Sequence, residues 1–377
     1  MSNQIFQTLK KLPIPLLDSQ CVLHKHELLI CGSFKQRACY SYHTLKKGYK
    51  LICEYPSDVI LDGHCVVKLV DNNNSKDNSQ ITLLSFGGSS FTKRHTFVMK
   101  YVSVWSNISN KSKNHNKWLP FTDNHNHPIV IGEDKDDYIG VRAVIGGSNN
   151  HLLFITYRLR DINVFDLNTF QFIKHVILPT RNYIGYHCFV SNSKNGQEQE
   201  IIETNEEKKK KISEMLLFCQ GTRLLIEYNE DDNTFQCYQL SACKDIASLC
   251  RYAYVCINNT ILFFGGLNVY DNVVSKSVHK YSIRENKWMT FQNTLPSPLS
   301  NCVAILNEDD NYIHIIGGQG DKNRKVLTHM KTKVRVWDPL QLAKDEIKLI
   351  IQYWIRKSKI KLGWIDDFDQ IIMKYRK

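Results

Sequence analysis

Residues 252–298 read YAYVCINNTILFFGGLNVYDNVVSKSVHKYSIRENKWMTFQNTLPSP. An apolar strand is followed by a short Asn-Asn turn and a second apolar strand ending in Gly265-Gly266. A third strand then ends at Tyr281, and a fourth carries Trp288. Runs of this length, bounded by Asn, Gly and Ser, predict strands and not helix. The unit is therefore one four-stranded antiparallel sheet of about fifty residues.

The same unit recurs along the chain, and a fixed period is the signature of a repeat architecture. Its first strand returns as SQCVLH at Cys21, GHCVVK at Cys65, VRAVIG at Ala143, YHCFVS at Cys188 and SNCVAI at Cys302, alongside YAYVCI at Tyr254. Its second strand ends at Ser33, Gly88, Tyr157, Gly221, Gly266 and Gly318. The third strand is expected to end in an aromatic each time, at Tyr42, Trp105, Phe165, Tyr228, Tyr281 and Trp337. In four units a second aromatic follows after seven positions, as Tyr42 to Tyr49, Phe165 to Phe172, Tyr228 to Phe235 and Tyr281 to Trp288. A polar turn of that length between two strand aromatics is what a hairpin requires. In the second unit an insert stretches the interval from Trp105 to Trp118.

A glycine doublet after an apolar run, then a Tyr-x6-Trp pair, resembles the kelch repeat. Gly265-Gly266 with Tyr281 and Trp288 match it fully, and Gly87-Gly88 and Gly317-Gly318 keep the doublet. Gly32-Ser33, Thr156-Tyr157 and Gln220-Gly221 stand in its place elsewhere. The resemblance covers residues 1–338 and implies an all-β, six-bladed kelch-type β-propeller. One blade cannot bury both its faces, whereas six arranged radially can, with only short protected edges.

The sixth unit stops after its third strand, at VRVWD. Phe6–Val22 parallels Phe291–Val303, which spans the fourth strand of the fifth unit and the entry to the sixth. Residues near Ile5 to Leu9 are therefore expected to complete the last blade. Inserts at Asp71, Ser106 and Ser191 are rich in Asn, Lys, Ser and Glu and read as hairpin tips. From 339 to 377 the pattern becomes a short amphipathic helical tail. Ile347, Ile350, Ile351, Trp354 and Ile355 share one face, and a second candidate helix starts near Trp364.

With 42% hydrophobic and 11% aromatic residues, the 377-residue chain is expected to fold. It has neither a signal-peptide core nor an 18-residue apolar run, which predicts a cytoplasmic protein with no membrane insertion. Twelve cysteines then read as reduced thiols. Cys21, Cys65, Cys188 and Cys302 are expected at one repeat position and Cys31 and Cys219 at another, too far apart to pair or to share a metal. Most of the lysines behind the net charge of +12 are scattered singly, with one dense run at Lys208–Lys211, which predicts a soluble surface and no nucleic-acid partner.

No phosphate loop, GxSxG elbow or complete GxGxxG is present. His125 and His127 could face one metal from a strand, but their Asn-rich surroundings place them in solvent, and no metal or cofactor is expected. Some kelch-like propellers are copper oxidases with tyrosine and histidine ligands, yet the tyrosines placed here are packing residues. The chain is thus expected to be a non-catalytic protein-interaction scaffold. Many kelch propellers are substrate receptors of ubiquitin ligases, which is the alternative reading, although no docking domain for a ligase is recognisable. Contacts are expected from the turns after the second strands, through Lys35, Arg37, Lys93, Arg94, Asn268, Tyr270, Lys322 and Arg324. The basic group at 322–325 favours an acidic protein partner. The glycines Gly87, Gly88, Gly265, Gly266, Gly317 and Gly318 and the repeat aromatics are assigned to structure.

Overall fold

The computed structural model describes residues 5–70, 80–89, 91–106, 114–192, 211–241, 243–338 and 352–357. Six four-stranded antiparallel sheets follow one another as the blades of a propeller. Blade 1 runs over Gln20–Glu54, blade 2 over Cys65–Pro120, blade 3 over Arg142–Ile177, blade 4 over Cys188–Gln239 and blade 5 over Ala253–Thr290. Blade 6 takes Ser300–Asn307, Tyr312–Gln319 and His329–Lys333 from the end of the repeat and Phe6–Thr8 from the start of the chain. Phe6 pairs with Thr332 and Thr8 with Met330, and Leu9 N donates to His329 O at 2.8 Å, so the expected closure is present. First strands of adjacent blades contact one another around the axis.

Apolar residues gather into six clusters, each built from two successive blades. The paired aromatics explain why. Tyr42–Tyr49, Phe165–Phe172, Tyr228–Phe235 and Tyr281–Trp288 stand directly opposite across the third and fourth strands, with ring centroids 4.8 to 5.1 Å apart. The buried ring of each pair reaches the preceding blade. Tyr281 meets Phe218 at 4.9 Å, Tyr228 meets Phe154 at 5.2 Å, and Tyr42 meets His329 of blade 6 at 4.5 Å. Large rings tilted edge-to-face supply both apolar area and preferred geometry at each boundary.

Two of the expected strand aromatics are corrected. In blade 2 the third strand is His95–Val102, and Tyr101, not Trp105, occupies the buried position opposite Ile81. Trp105 lies in the following turn, where its Nε1 donates to Ser41 Oγ of blade 1 at 2.9 Å. Trp118 is consequently no cross-strand partner for it and stacks on Tyr55 at 4.7 Å. In blade 6 the third strand ends at Lys333, and Trp337 follows a 3-10 turn. Thr332 fills the repeat position, and Trp337 packs beside it against Phe6 and Phe264, each at 5.7 Å.

The glycine doublets let the chain cross itself. A Cβ on Gly265 would lie 2.0 Å from Leu299 O, and one on Gly317 would lie 2.4 Å from Leu16 O. Both residues also hold positive φ, which glycine adopts without steric cost. In each case the connection leaving the blade passes over the end of its second strand. In blade 1 Gly32 takes this place under Leu61, while Ser33 ties down the connection that enters the blade, Oγ donating to Leu17 O at 2.8 Å.

The inserts at 71–79, 107–113 and 193–210 lie outside the described residues, as does most of the tail. Within the tail, residues 352–357 are helical and exposed. No helix among the described residues is long and apolar enough to cross a membrane.

Two measurements test this architecture. Deleting residues 1–12 removes the strand that closes blade 6 and the ring of Phe6, and should lower Tm by roughly 5–10 °C in calorimetry. An unchanged Tm would contradict closure by this strand. Burial lowers His64 and His314 to about 3 and His95 to about 4, while an unfolded imidazole titrates near 6.5. Between those values the unfolded chain binds more protons, so acidification favours unfolding. From pH 7 to pH 5 each of these histidines should remove on the order of 1–2 kcal/mol of stability, and His314→Gln should flatten the profile.

Candidate functional site

Each second strand ends, and each blade-to-blade connection runs, on the same face of the propeller. At the centre of that face every connection turns into its first strand through one residue of positive φ. These are Asp18, Gly63, Gly140, Tyr186, Arg251 and Asn301, one per blade. Successive members are joined by backbone bonds, with Asp18 N donating to Asn301 O, Tyr186 N to Gly140 O and Asn301 N to Arg251 O, each at 2.9 Å.

Asp, Asn and Gly enter this conformation readily, whereas Tyr and Arg do so at a cost of order 1 kcal/mol. The two costly residues meet each other: the Arg251 guanidinium lies 4.1 Å above the Tyr186 ring. Gly63 and Gly140 leave the room that this requires. A Cβ on Gly140 would sit 2.7 Å from the Tyr186 ring, and one on Gly63 would sit 2.5 Å from Gly140 N.

The ring surrounds the mouth of a cavity of about 230 Å³ on the propeller axis, lined by Asp18, Arg142, Tyr186, Arg251 and Asn301 with Cys21, Cys65 and Cys302 below. Asn301 Nδ2 donates to both oxygens of Asp18 at 2.9 Å, and Tyr186 OH donates to Asp62 Oδ1 at 2.7 Å. Burial holds the Asp18 carboxyl above its usual range, against the pull of Arg251. Arg142 Nη1 donates to the carbonyl of Val141 at 2.8 Å. Neither Arg142 nor Arg251 forms an ion pair with a described residue. Burial also pushes the Cys65 thiol up to about 11 and that of Cys302 up to about 12, so both are protonated at neutral pH.

All eight residues expected from sequence lie on this face, but none lines the cavity. Lys35, Lys322 and Arg324 are exposed, and Tyr270 is 85% exposed. Asn268 is taken up within its own loop, its Oδ1 accepting from Tyr270 N at 3.0 Å. Arg37 pairs with Glu54 at 3.6 Å, Lys93 with Asp58 and Arg94 with Asp134, which commits three of the expected cations to carboxylates of the protein itself.

Around the rim stand large apolar side chains absent from the expected set. Phe91 is 91% exposed, and Ile60, Leu159, Tyr183 and Leu327 are exposed as well, as are Val130, Val269 and Val273 near them. Among the described residues the hairpin turns of the opposite face expose only Leu45, Val70 and, at a strand start, Ile212. Phe91 is presented by a turn in which its N donates to Ser89 Oγ at 3.2 Å.

The cysteine alignment is also corrected: Cys65 and Cys188 follow the positive-φ residue by two positions, Cys21 by three and Cys302 by one. Cys31 and Cys219 do correspond, each directly preceding a positive-φ residue at the end of a second strand. All twelve cysteines are free. His125 and His127 flank an exposed turn whose backbone is held by Asp123. No group of three or more His, Cys, Asp or Glu among the described residues is arranged to hold a metal ion.

A kelch motif matches residues 248–293, which span the entry and all four strands of blade 5. The chain is similar to a solved structure titled "Structure of YjhT", with 13% sequence identity, a TM-score of 0.57, and coverage of 87% of this chain and 98% of that one. That likeness concerns the fold. No curated protein matches the chain.

The tight ring makes a direct prediction about stability. Gly140→Ala should cost about 2 kcal/mol in urea unfolding, because it adds both strain at positive φ and a clash with Tyr186. Gly185→Ala, whose Cβ would meet only Ile139 O at 3.7 Å, should stay within about 0.5 kcal/mol.

Proposed function

We propose that this kelch-containing propeller is a non-catalytic interaction scaffold that docks a protein partner on the face carrying its blade connections. The observation that carries the reading is the concentration of exposed apolar side chains on that face. Phe91 and Tyr270 stand out from loops on separate blades, with Ile60, Leu159, Tyr183 and Leu327 around the same rim. Exposed aromatics surrounded by polar groups mark interaction surfaces, and such anchors dominate interface energetics.

Lys35, Lys322 and Arg324, which form no ion pair among the described residues, stand on the same face as these anchors and favour a partner with acidic groups around its apolar centre. The axial side chains fit binding better than chemistry. Asp18 and Asp62 accept hydrogen bonds from neutral donors, and the thiols of Cys65 and Cys302 are protonated.

Affinity capture from the native cell tests this. The double variant Phe91→Asp and Tyr270→Asp should lose the captured partners by at least tenfold, while Leu45→Asp on the opposite face should keep them. Equal capture by both would remove the apolar rim from the interface.

A further inference from the structure

The axial cavity holds cationic groups that the protein itself leaves open. Arg142 and Arg251 both enter it, yet neither has a carboxylate partner among the described residues. Acidic groups are close by: Asp18 lines the same space, and Asp62 is tied to Tyr186 at its edge. Those carboxylates are engaged by neutral donors, the Asn301 amide and the Tyr186 hydroxyl. Asp18 feels both guanidinium charges, but it forms no ion pair with either arginine, so most of the guanidinium N–H donors, five on each arginine, remain available.

Backbone geometry supports a purpose for this arrangement. Tyr186 and Arg251 occupy positive-φ positions that glycine, asparagine or aspartate fill in the other four blades. Strained residues of that kind persist where their side chains are needed, and here both project into the cavity. The contact with the Tyr186 ring holds the Arg251 guanidinium in place at 4.1 Å without using its N–H groups, which stay available to grip a planar anion.

We infer that the axial cavity is a seat for a single carboxylate, held between Arg142 and Arg251. A carboxylate matches the planar two-point donor pattern of a guanidinium. A phosphate would bring nearly two negative charges into a space of about 230 Å³ that already contains Asp18, and like charges at short range are disfavoured. Two sources supply the same chemistry: a small free carboxylic acid, or an acidic side chain of a docked partner. Only the second rests on the docking reading given above.

Thermal unfolding at fixed pH and ionic strength separates the sources. One arm titrates acetate, lactate and gluconate against lactamide and phosphate. The other titrates a blocked Gly-Glu-Gly tripeptide against blocked Gly-Gln-Gly. A rise in Tm is expected in at least one carboxylate arm, with the amide, glutamine and phosphate controls flat. Arg142→Gln and Arg251→Gln should weaken the apparent affinity at least tenfold, Arg142→Lys should weaken it because a point charge replaces the fork, and Lys68→Gln, at an exposed position outside both the cavity and the rim, should leave it unchanged. The Phe91→Asp, Tyr270→Asp variant should retain the full shift, so failure of the docking surface and failure of the seat are distinguishable. The inference is overturned by flat curves in both arms, by an equal shift with chloride or phosphate, or by a shift that survives in folded Arg142→Gln and Arg251→Gln.

Discussion

Each blade of this protein depends on a ring supplied by the next. Tyr42, Phe165, Tyr228 and Tyr281 leave their own sheets and fill the preceding blade's outer face, and Tyr101 and Trp337 do the same at the two boundaries where the repeat is irregular. The clusters therefore lie between blades and not within them, and no blade owns a complete core. Because a four-stranded sheet has two faces to cover, this dependence is satisfied only when the series returns to its start. The axial cavity and the rim follow from that closure, since six connections then converge on one face.

Much of this architecture was legible in the chain. Short apolar runs bounded by turn residues gave the strands, the seven-residue interval gave the cross-strand aromatic pairs, and the likeness of Phe6–Val22 to Phe291–Val303 gave the closing strand. The errors came where an aromatic lay near the expected position without occupying it. Trp105 stands four residues after Tyr101, and Trp337 five after Thr332; identity and approximate spacing favoured the tryptophans, whereas strand register decides which residue faces the neighbouring blade. A one-residue slip, in opposite directions, misaligned Cys21 and Cys302 with Cys65 and Cys188.

The site was less legible for a different reason. Each blade contributes one or two residues to the axis, and those residues differ in type, so no motif connects Asp18, Arg142, Tyr186, Arg251 and Asn301 along the sequence. A partial signal existed: Asp18, Gly63, Gly140 and Asn301 are all residues that tolerate positive φ, placed just ahead of a first strand. The two bulky exceptions in that column are the informative ones. Reading the turns after the second strands also selected Arg37, Lys93 and Arg94, whose acidic partners lie on the adjacent strand of the same blade (Glu54) or on blade connections (Asp58 and Asp134), and only folding brings them together.

The closing strand also constrains how the molecule is made. Phe6–Thr8 leaves the ribosome early, but its partner His329–Lys333 follows only after nearly all of the remaining repeats have been synthesised. At ordinary elongation rates the segment waits for roughly 15–65 s. During that interval the nascent protein is an open arc, with an unclaimed strand at one end and an uncovered apolar flank at the other. A translation product halted before blade 6 therefore keeps both sticky ends, and exposed edges of that kind are what make incomplete folds prone to aggregate.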